Sequence, residues 1–151
     1  MNTNQLHPTI DSIAGECIAV RMRMLNRDVT KIYDVALRPL SLKVSQMNIL
    51  VAAGKMGIAR PAEVCARLHL DVSTLSRNVE RMKARGWLEV IPDADGRAQP
   101  FRLTSEGAKL LKKAVPAWEK AQHQATALLG DDFVELLGQT AERLKLDTHS
   151  H

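Results

Sequence analysis

The chain has 151 residues, of which 45% are hydrophobic, 25% charged and 3% aromatic, and its net charge is +4. A chain of this length forms one domain with its own core. The scarcity of aromatic residues argues against base stacking on single-stranded nucleic acid. No apolar run approaches the roughly 20 residues that a membrane-spanning helix needs. The two cysteines, Cys17 and Cys65, are too few for a disulfide framework. With no visible signal peptide, the sequence predicts a cytoplasmic protein without a metal or cofactor.

The excess positive charge is concentrated in one segment. Residues 60–113 contain 11 Lys and Arg against 7 Asp and Glu, whereas the rest of the chain has 10 of each. Because neutralising phosphates releases counterions and drives association, this bias is typical of a surface that binds nucleic acid. A solvated face with a chance asymmetry explains the same counts.

The sequence predicts three helices before residue 70. The first is predicted over residues 9–36, where apolar positions recur at spacings of three and four, and Pro39 ends it. The second is predicted over residues 44–54. Pro61 begins the third, which ends near Leu68.

The fourth predicted helix, over residues 72–85, has two contrasting faces. Asp71 or Ser73 can cap its start, and Gly86 can end it. The predicted buried stripe consists of Val72, Leu75, Val79 and Met82. The opposite face is polar and carries Ser73, Thr74, Ser76, Arg77, Asn78, Glu80 and Arg81. Such a face can donate and accept hydrogen bonds.

Residues 87–91 and 100–103 alternate as paired strands do, with a polar connection between them. Thr104 begins a fifth helix, which Pro116 is expected to kink because the carbonyl of Lys112 loses its donor. A sixth helix is predicted over residues 131–146. A helix, a turn, a second helix and a β-hairpin make a winged helix-turn-helix, which holds one helix in a DNA major groove.

The sequence resembles the MarR family of bacterial winged-helix regulators from about residue 10 to residue 146. The resemblance is sharpest in AEVCARLHLDVSTLSRNVERMKARGWLEV and in DADGRAQPFRLTSEG. In the second stretch Asp95 and Arg97 match the wing tip, and residues 103–107 match the LT-x-x-G start of a helix. Gly96 stands where the family commonly has a further arginine.

The resemblance implies a mainly α-helical single domain, residues 1–151, with a small β-wing. Residues 44–104 would form the winged helix-turn-helix, and residues 9–36 and 105–146 the dimerisation helices. Apolar helices outside a compact unit need a partner, so we expect a homodimer. Since protein symmetry is mirrored in the half-sites, its partner would be double-stranded DNA with a palindromic operator.

The DNA-contacting residues follow from the same resemblance. The major-groove set is Ser73, Thr74, Ser76, Arg77 and Arg81, with hydroxyls on phosphates or base edges and Arg77 able to bind guanine. Arg97 would enter the minor groove, and Asp95 would orient its guanidinium. The alternative interpretation of each arginine is a solvated surface residue.

Family members typically respond to small aromatic or phenolic ligands, which implies an effector site beside the first helix. Arg21 lies on that helix's apolar stripe, where it could bind a carboxylate ligand. A salt bridge across the dimer, or a side chain that reaches water, accounts for it too. Met24 and Met47 are candidate lining residues, although apolar stripes are more often core. Cys17, four residues before Arg21, is a candidate peroxide sensor or a buried small side chain.

The sequence therefore predicts a sequence-specific transcriptional regulator, a repressor released from DNA by a small aromatic or phenolic ligand. It does not predict an enzyme, because no nucleophile–base pair, phosphate loop or metal motif is present. Two alternatives stay open. One is an oxidation-sensing regulator that acts through Cys17, and the other is an architectural DNA-binding protein without sequence preference.

Overall fold

The structure is a computed structural model that describes residues 3–92 and 99–148. Within these ranges the chain forms seven α-helices, one 3-10 turn and a two-stranded antiparallel sheet. The helices are α1 (Thr3–Glu16), α2 (Ile18–Leu37), α3 (Val44–Met56), α4 (Pro61–Leu68), α5 (Val72–Ala84), α6 (Ser105–Leu129) and α7 (Asp131–Thr148). The 3-10 turn is Arg38–Leu40, and the strands are β1 (Leu88–Val90) and β2 (Phe101–Leu103). None of the described helices is long and apolar enough to cross a lipid bilayer.

The hydrophobic core lies between α3, α4, α5, the sheet and the first half of α6. Its largest fully buried side chains are Phe101, Leu37, Leu42, Ile49, Leu50, Leu75, Met82, Leu88 and Val64. Burying a side chain of this size contributes about 1.5–3 kcal/mol to the free energy of folding. The core therefore fixes the helix-turn-helix and the wing as one unit.

The turn between α4 and α5 is set by two backbone features. α4 ends at His69, whose φ of 51° lies in the left-handed region, and the N–H of Leu70 donates to the carbonyl of Cys65 at 3.0 Å. An extended Asp71 then caps α5 through its side chain. The two helices of the motif are consequently joined by a turn of only three residues.

The base of the wing is the two-stranded sheet of β1 and β2, and a single residue of a loop pairs with the outer side of β2. Val90 pairs with Phe101 and Leu88 with Leu103. Ala59, in the loop before α4, bonds on the other side of β2, with N–H to carbonyl distances to Phe101 of 2.8 and 3.0 Å. The wing is thereby attached to the helix-turn-helix by backbone hydrogen bonds as well as by packing.

The LT-x-x-G stretch joins the wing to α6 by close backbone contact. The hydroxyl of Thr104 accepts from the N–H of Gly107 at 3.0 Å and donates to the carbonyl of Gly86 at 2.6 Å. A Cβ on Gly107 would lie 2.2 Å from the carbonyl oxygen of Trp87. Glycine is therefore required there by space, since any side chain would collide with the backbone of the wing.

Two side-chain hydrogen bonds connect the second half of α2 to α6 and to the start of α3. The Tyr33 hydroxyl donates to the Gln122 side chain on α6, and partial burial raises the pKa of Tyr33. The carboxylate of Asp34 accepts from the N–H of Val44, the first residue of α3, at 2.9 Å. An orphan donor at the start of α3 is thus satisfied by α2, which fixes the winged unit to that helix.

The prediction of a single helix over residues 9–36 is wrong, because the helix is interrupted at Cys17. Cys17 is extended, with φ −62° and ψ 108°, and it separates α1 from α2. Gly15 weakens the helix just before the break, since glycine is a poor helix former. The guanidinium of Arg21 donates to the carbonyl of Gly15, which satisfies a group left without a helical partner. The described residues therefore contain seven helices, where six were predicted.

Smaller differences concern single residues. Val72, predicted to be buried, is 68% exposed, because it is the first residue of α5 and lies beyond the stripe that reaches the core. α6 runs from Ser105 to Leu129 with Pro116 inside it. α3 continues two residues past Gly54, to Met56. The first helix begins at Thr3 and not at residue 9. The other predicted bounds agree with the structure to within about two residues.

Candidate nucleic-acid interface

α5 is anchored on one face and exposed on the other. Leu75, Val79 and Met82 are at most 8% exposed and belong to the core. The exposed residues of the opposite face are Ser73, Ser76, Arg77, Glu80 and Arg81, and Thr74 and Asn78 are half-buried at its margin. The helix is therefore held rigidly and presents hydroxyls and two guanidinium groups to solvent.

The start of this face is organised by the carboxylate of Asp71. Its Oδ1 accepts from the Ser73 hydroxyl at 2.7 Å and from the N–H of Thr74 at 2.7 Å. Its Oδ2 accepts from the Thr74 hydroxyl at 2.9 Å. These hydrogen bonds, led by the one from Ser73, lower the pKa of Asp71 to about 2. Asp71 is therefore ionised at neutral pH, and it caps α5 while holding two hydroxyl groups of the predicted set.

The rest of the exposed face of α5 carries positive side chains, and the ion pair beside them is weak. Arg77 and Arg81 are exposed, and the positive charge of Arg77 contributes to the lowered pKa of Asp71. Glu80 lies 3.6 Å from the Lys83 ammonium in a solvent-exposed pair, which is worth little. The Asn78 amide donates to the carbonyl of Thr74 at 3.0 Å, so it is engaged with its own helix.

Five of the seven residues predicted to contact DNA thus lie together on α5. The other two, Asp95 and Arg97 at the wing tip, lie outside the described residues. The wing below the tip carries an exposed cross-strand ion pair between Glu89 and Arg102. Opposite charges on facing strand residues stabilise such a hairpin modestly.

Sequence reasoning missed the group that anchors the end of α5. Arg85 donates to the carbonyl of Ser41 at 2.6 Å, and its guanidinium lies 4.8 Å from the ring centroid of Trp87. A cation over an indole face is attracted by the ring quadrupole. Ser41 itself has a left-handed φ of 52°. The spacing Arg-Gly-Trp indicates the stacking, but the contact with Ser41, 44 residues away, has no local signal.

The residues predicted to bind a ligand are not brought together. The guanidinium of Arg21 is engaged at the end of α1, and Met24 is 61% exposed on α2. Met47 is 8% exposed and belongs to the core of the winged unit. A groove of about 160 Å³ lies instead between α2 and the α6–α7 junction, lined by Met22, Leu25, Asn26, Val29, Leu129, Phe133 and Leu137.

The two cysteines are free thiols, and both are half-buried. Cys17 is the extended residue between α1 and α2, and Cys65 lies on α4 against the core. Among residues 3–92 and 99–148, no three His, Cys, Asp or Glu side chains cluster as metal ligands do.

Comparisons with a family model and with known proteins point to the same family. A model of the MarR family matches residues 40–98. The multiple antibiotic resistance protein MarR of Salmonella typhimurium is 28% identical over 116 residues, which cover 75% of this chain and 81% of that protein.

Solved structures extend the likeness to the terminal helices. The M. tuberculosis transcriptional regulator MOSR, solved in complex with DNA, is 34% identical with a TM-score of 0.69, and the match covers 85% of this chain and 98% of MOSR. BpsR of Bordetella bronchiseptica has a TM-score of 0.76 at 21% identity over 86% of this chain and 99% of its own. The winged-helix fold predicted from the sequence is confirmed, and this chain belongs to the MarR family.

Proposed function

We propose that this regulator binds palindromic double-stranded DNA as a homodimer, represses transcription, and is released by a small aromatic or phenolic ligand. In this proposal α5 lies in the major groove and the wing tip, with Asp95 and Arg97, lies in the minor groove. The relative MOSR, at 34% identity, was solved with DNA bound, which supports the assignment of the same role to this chain.

The observation that carries the proposal is the two-sided character of α5. Leu75 and Met82 fix the helix in the core, while Arg77 and Arg81 stand exposed on the opposite face. A recognition helix needs both properties, because base contacts require side chains held in register against the groove. A guanidinium can then bind guanine O6 and N7 in a bidentate manner.

The experiment that tests this role is selection of bound duplexes from a random DNA library at near-physiological salt. We expect an enriched palindrome whose half-sites are centred about one helical turn apart. Arg77→Ala should weaken binding to it by about tenfold or more, the scale of a lost base contact. Lys55→Ala, an exposed cation at the end of α3, is the matched control. Retention without a consensus would instead support a non-specific architectural protein.

The homodimer is proposed from apolar surface at the two chain ends. Exposed large side chains recur on α1, α2 and α7, among them Ile13 at 62%, Ile18 at 75%, Leu136 at 59% and Leu144 at 58%. Apolar side chains exposed repeatedly along three helices supply the surface that an interaction site needs. Packing against a second copy would bury it around a two-fold axis, which accounts for the expected palindrome.

The effector site is proposed in the groove between α2 and α7. Its lining is apolar apart from the Asn26 amide, and an apolar cavity of similar volume accommodates a single aromatic ring. α2 also caps α3 through Asp34, so a shift of α2 would move the winged unit. BpsR, which shares the fold, has DNA binding regulated by 6-hydroxynicotinic acid.

Titration of operator release with phenol and with salicylate tests the effector site. We expect Val29→Trp, which fills the groove, to abolish release while operator affinity is retained. Val20→Trp places the same ring on α2 outside the groove and is the control. Arg21→Ala tests the predicted carboxylate handle: selective loss of the salicylate response supports that role, and equal responses remove it.

A second candidate is oxidation sensing through Cys17. The specific observation is its place in the break between α1 and α2, where a larger oxidised side chain would alter the angle between two helices of the proposed dimer interface. Peroxide should then release wild-type protein from the operator and leave Cys17→Ser bound. Equal binding before and after peroxide treatment removes this candidate.

A further inference from the structure

We infer that Asp71 fixes the hydrogen-bonding polarity of the recognition surface, so that the Ser73 and Thr74 hydroxyls accept from the amino groups of adenine or cytosine and do not donate to phosphates. The inference rests on the proposed function, because it names the chemical groups that α5 would read in the major groove. It replaces the sequence-based expectation that these hydroxyls bind phosphates or any base edge.

The geometry leaves each hydroxyl no free proton. A hydroxyl group has one proton to donate and two lone pairs to accept with, whereas an ionised carboxylate only accepts. The contacts of Asp71 with the Ser73 and Thr74 oxygens, at 2.7 and 2.9 Å, therefore orient both protons towards Asp71. The lone pairs are what these two side chains present to a ligand.

Acceptors on the protein match only some groups on DNA. Phosphate oxygens, guanine N7 and O6, and thymine O4 are all acceptors and offer nothing to such a hydroxyl. The major-groove donors are the N6 amino group of adenine and the N4 amino group of cytosine. Because each base pair carries one such group, on one strand, the contact selects the strand on which adenine or cytosine stands.

The carboxylate also disfavours the alternative partner. A phosphate close to Ser73 would lie close to the negative charge of Asp71 as well, and it would only replace one charge-assisted hydrogen bond by another, with no gain to offset the repulsion. Phosphate binding is better served by Arg81, two turns further along the exposed face. Ser76, whose hydroxyl makes no hydrogen bond within the described part of the chain, is free to donate.

The first experiment removes amino groups from the selected operator one at a time. Purine replaces adenine, and 2-pyrimidinone replaces cytosine, so that the ring stays and only the amino group is lost. We expect at least one position in each half-site where the loss weakens wild-type binding by about three- to tenfold, the scale of one hydrogen bond. At that position Ser73→Ala or Thr74→Val should show less than about a twofold effect. Ser76→Ala is the control and should remain as sensitive as wild type.

The second experiment reverses the polarity without removing the cap. Asparagine caps a helix about as well as aspartate. Its amide oxygen takes the place of Oδ1, which accepts from the Thr74 N–H and the Ser73 hydroxyl, and its amide nitrogen takes the place of Oδ2, where it donates to the Thr74 hydroxyl and frees that proton. For Asp71→Asn we expect the preference for the amino-bearing base at the position coupled to Thr74 to fall by about threefold or more, and the preference at a position coupled to Ser73 to stay. Overall affinity should not fall in parallel, because a negative charge beside DNA is also removed. Circular dichroism confirms that the variant is folded.

The outcomes separate the inference from the proposed function. An operator without any amino group coupled to Ser73 or Thr74 overturns the inference and leaves sequence-specific binding standing. Coupling of these hydroxyls to a methylphosphonate substitution in the backbone also overturns it, since that places them on phosphates. Unchanged base preference of Asp71→Asn at the position coupled to Thr74 overturns the role of the carboxylate. A selection that enriches no operator removes the proposed function and the inference together.

Discussion

The winged unit and the terminal helices are built from similar apolar residues but use them differently. In the winged unit Leu50 and Phe101 are fully buried. On α2 and α7, Ile18 is 75% and Leu136 is 59% exposed. The winged unit buries its apolar side chains within one chain. The terminal helices leave theirs exposed, so that a second chain could cover them.

This difference separates two tasks. The core under α5 fixes the orientation of that helix within one chain. In the proposed dimer, the terminal helices set the distance between two such units, which is the spacing that a palindromic operator must match. Four predictions test this division, from the largest expected effect to the smallest.

Truncation in the core should cost the most. Leu50→Ala is expected to lower the free energy of unfolding by about 2–5 kcal/mol, because it loses transfer energy and leaves a cavity. Chemical denaturation at fixed protein concentration measures this. The matched truncation Leu128→Ala, at a side chain 57% exposed, should cost less than half as much. Equal losses would show that the two regions are not packed differently within one chain.

A charge on the apolar face of α7 should act on assembly and not on the winged unit. Leu136→Asp is expected to weaken the dimer by about 2–4 kcal/mol, since the lost burial occurs twice across a two-fold axis. Sedimentation equilibrium measures the dissociation constant. Gln139→Asp adds the same charge on the polar side of α7 and should leave the dimer intact. If both variants dimerise like wild type, this face is not the interface.

At Gly107, where α6 meets the wing, we expect that no side chain is tolerated. Gly107→Ala is expected to destabilise the protein by about 1–3 kcal/mol, because its Cβ would lie 2.2 Å from the Trp87 carbonyl oxygen, a backbone atom that cannot rotate away. Gly138→Ala, where a Cβ meets nothing within 4 Å, should instead stabilise α7 by about 0.5–1 kcal/mol. Thermal denaturation of the two variants should therefore shift in opposite directions.

The smallest effect concerns the pH range over which α5 stays capped. The pKa of Asp71 is lowered to about 2, so its stabilising contribution is present above the ordinary aspartate value of about 4 and is lost only as pH falls through about 2. The Thr74 amide resonance should hold its position from pH 8 down to about pH 4 and shift below that. A midpoint near pH 4 would contradict the hydrogen bonds of Asp71 with Ser73 and Thr74.

Local signals in the sequence were sufficient for the helix-turn-helix. Pro61 marks the first residue of α4, and Asp71 and Gly86 bracket α5, so both helices could be placed within about two residues. The side-chain cap at Asp71 was predicted as one of two options and is confirmed by the structure. The signals lie within a few residues of the features that they determine.

Features that depend on distant residues could not be predicted in this way. The pairing of Ala59 with Phe101 and the contact of Arg85 with Ser41 each join segments more than 40 residues apart. The break at Cys17 interrupts an apolar periodicity that continues on both sides, so only Gly15 hinted at it. For the site, the sequence identified which residues of α5 are polar, but the direction of the Ser73 and Thr74 protons needed coordinates.

The winged unit has a complete core within one chain, whereas we propose that the terminal helices need a second chain to cover their apolar faces. Sedimentation velocity of the full chain, alone and with the selected duplex, distinguishes these two regions. We expect a dimer at low micromolar concentration and one dimer on each palindromic duplex. A monomer in both conditions, with the winged unit folded, would show that the terminal helices do not need a second copy.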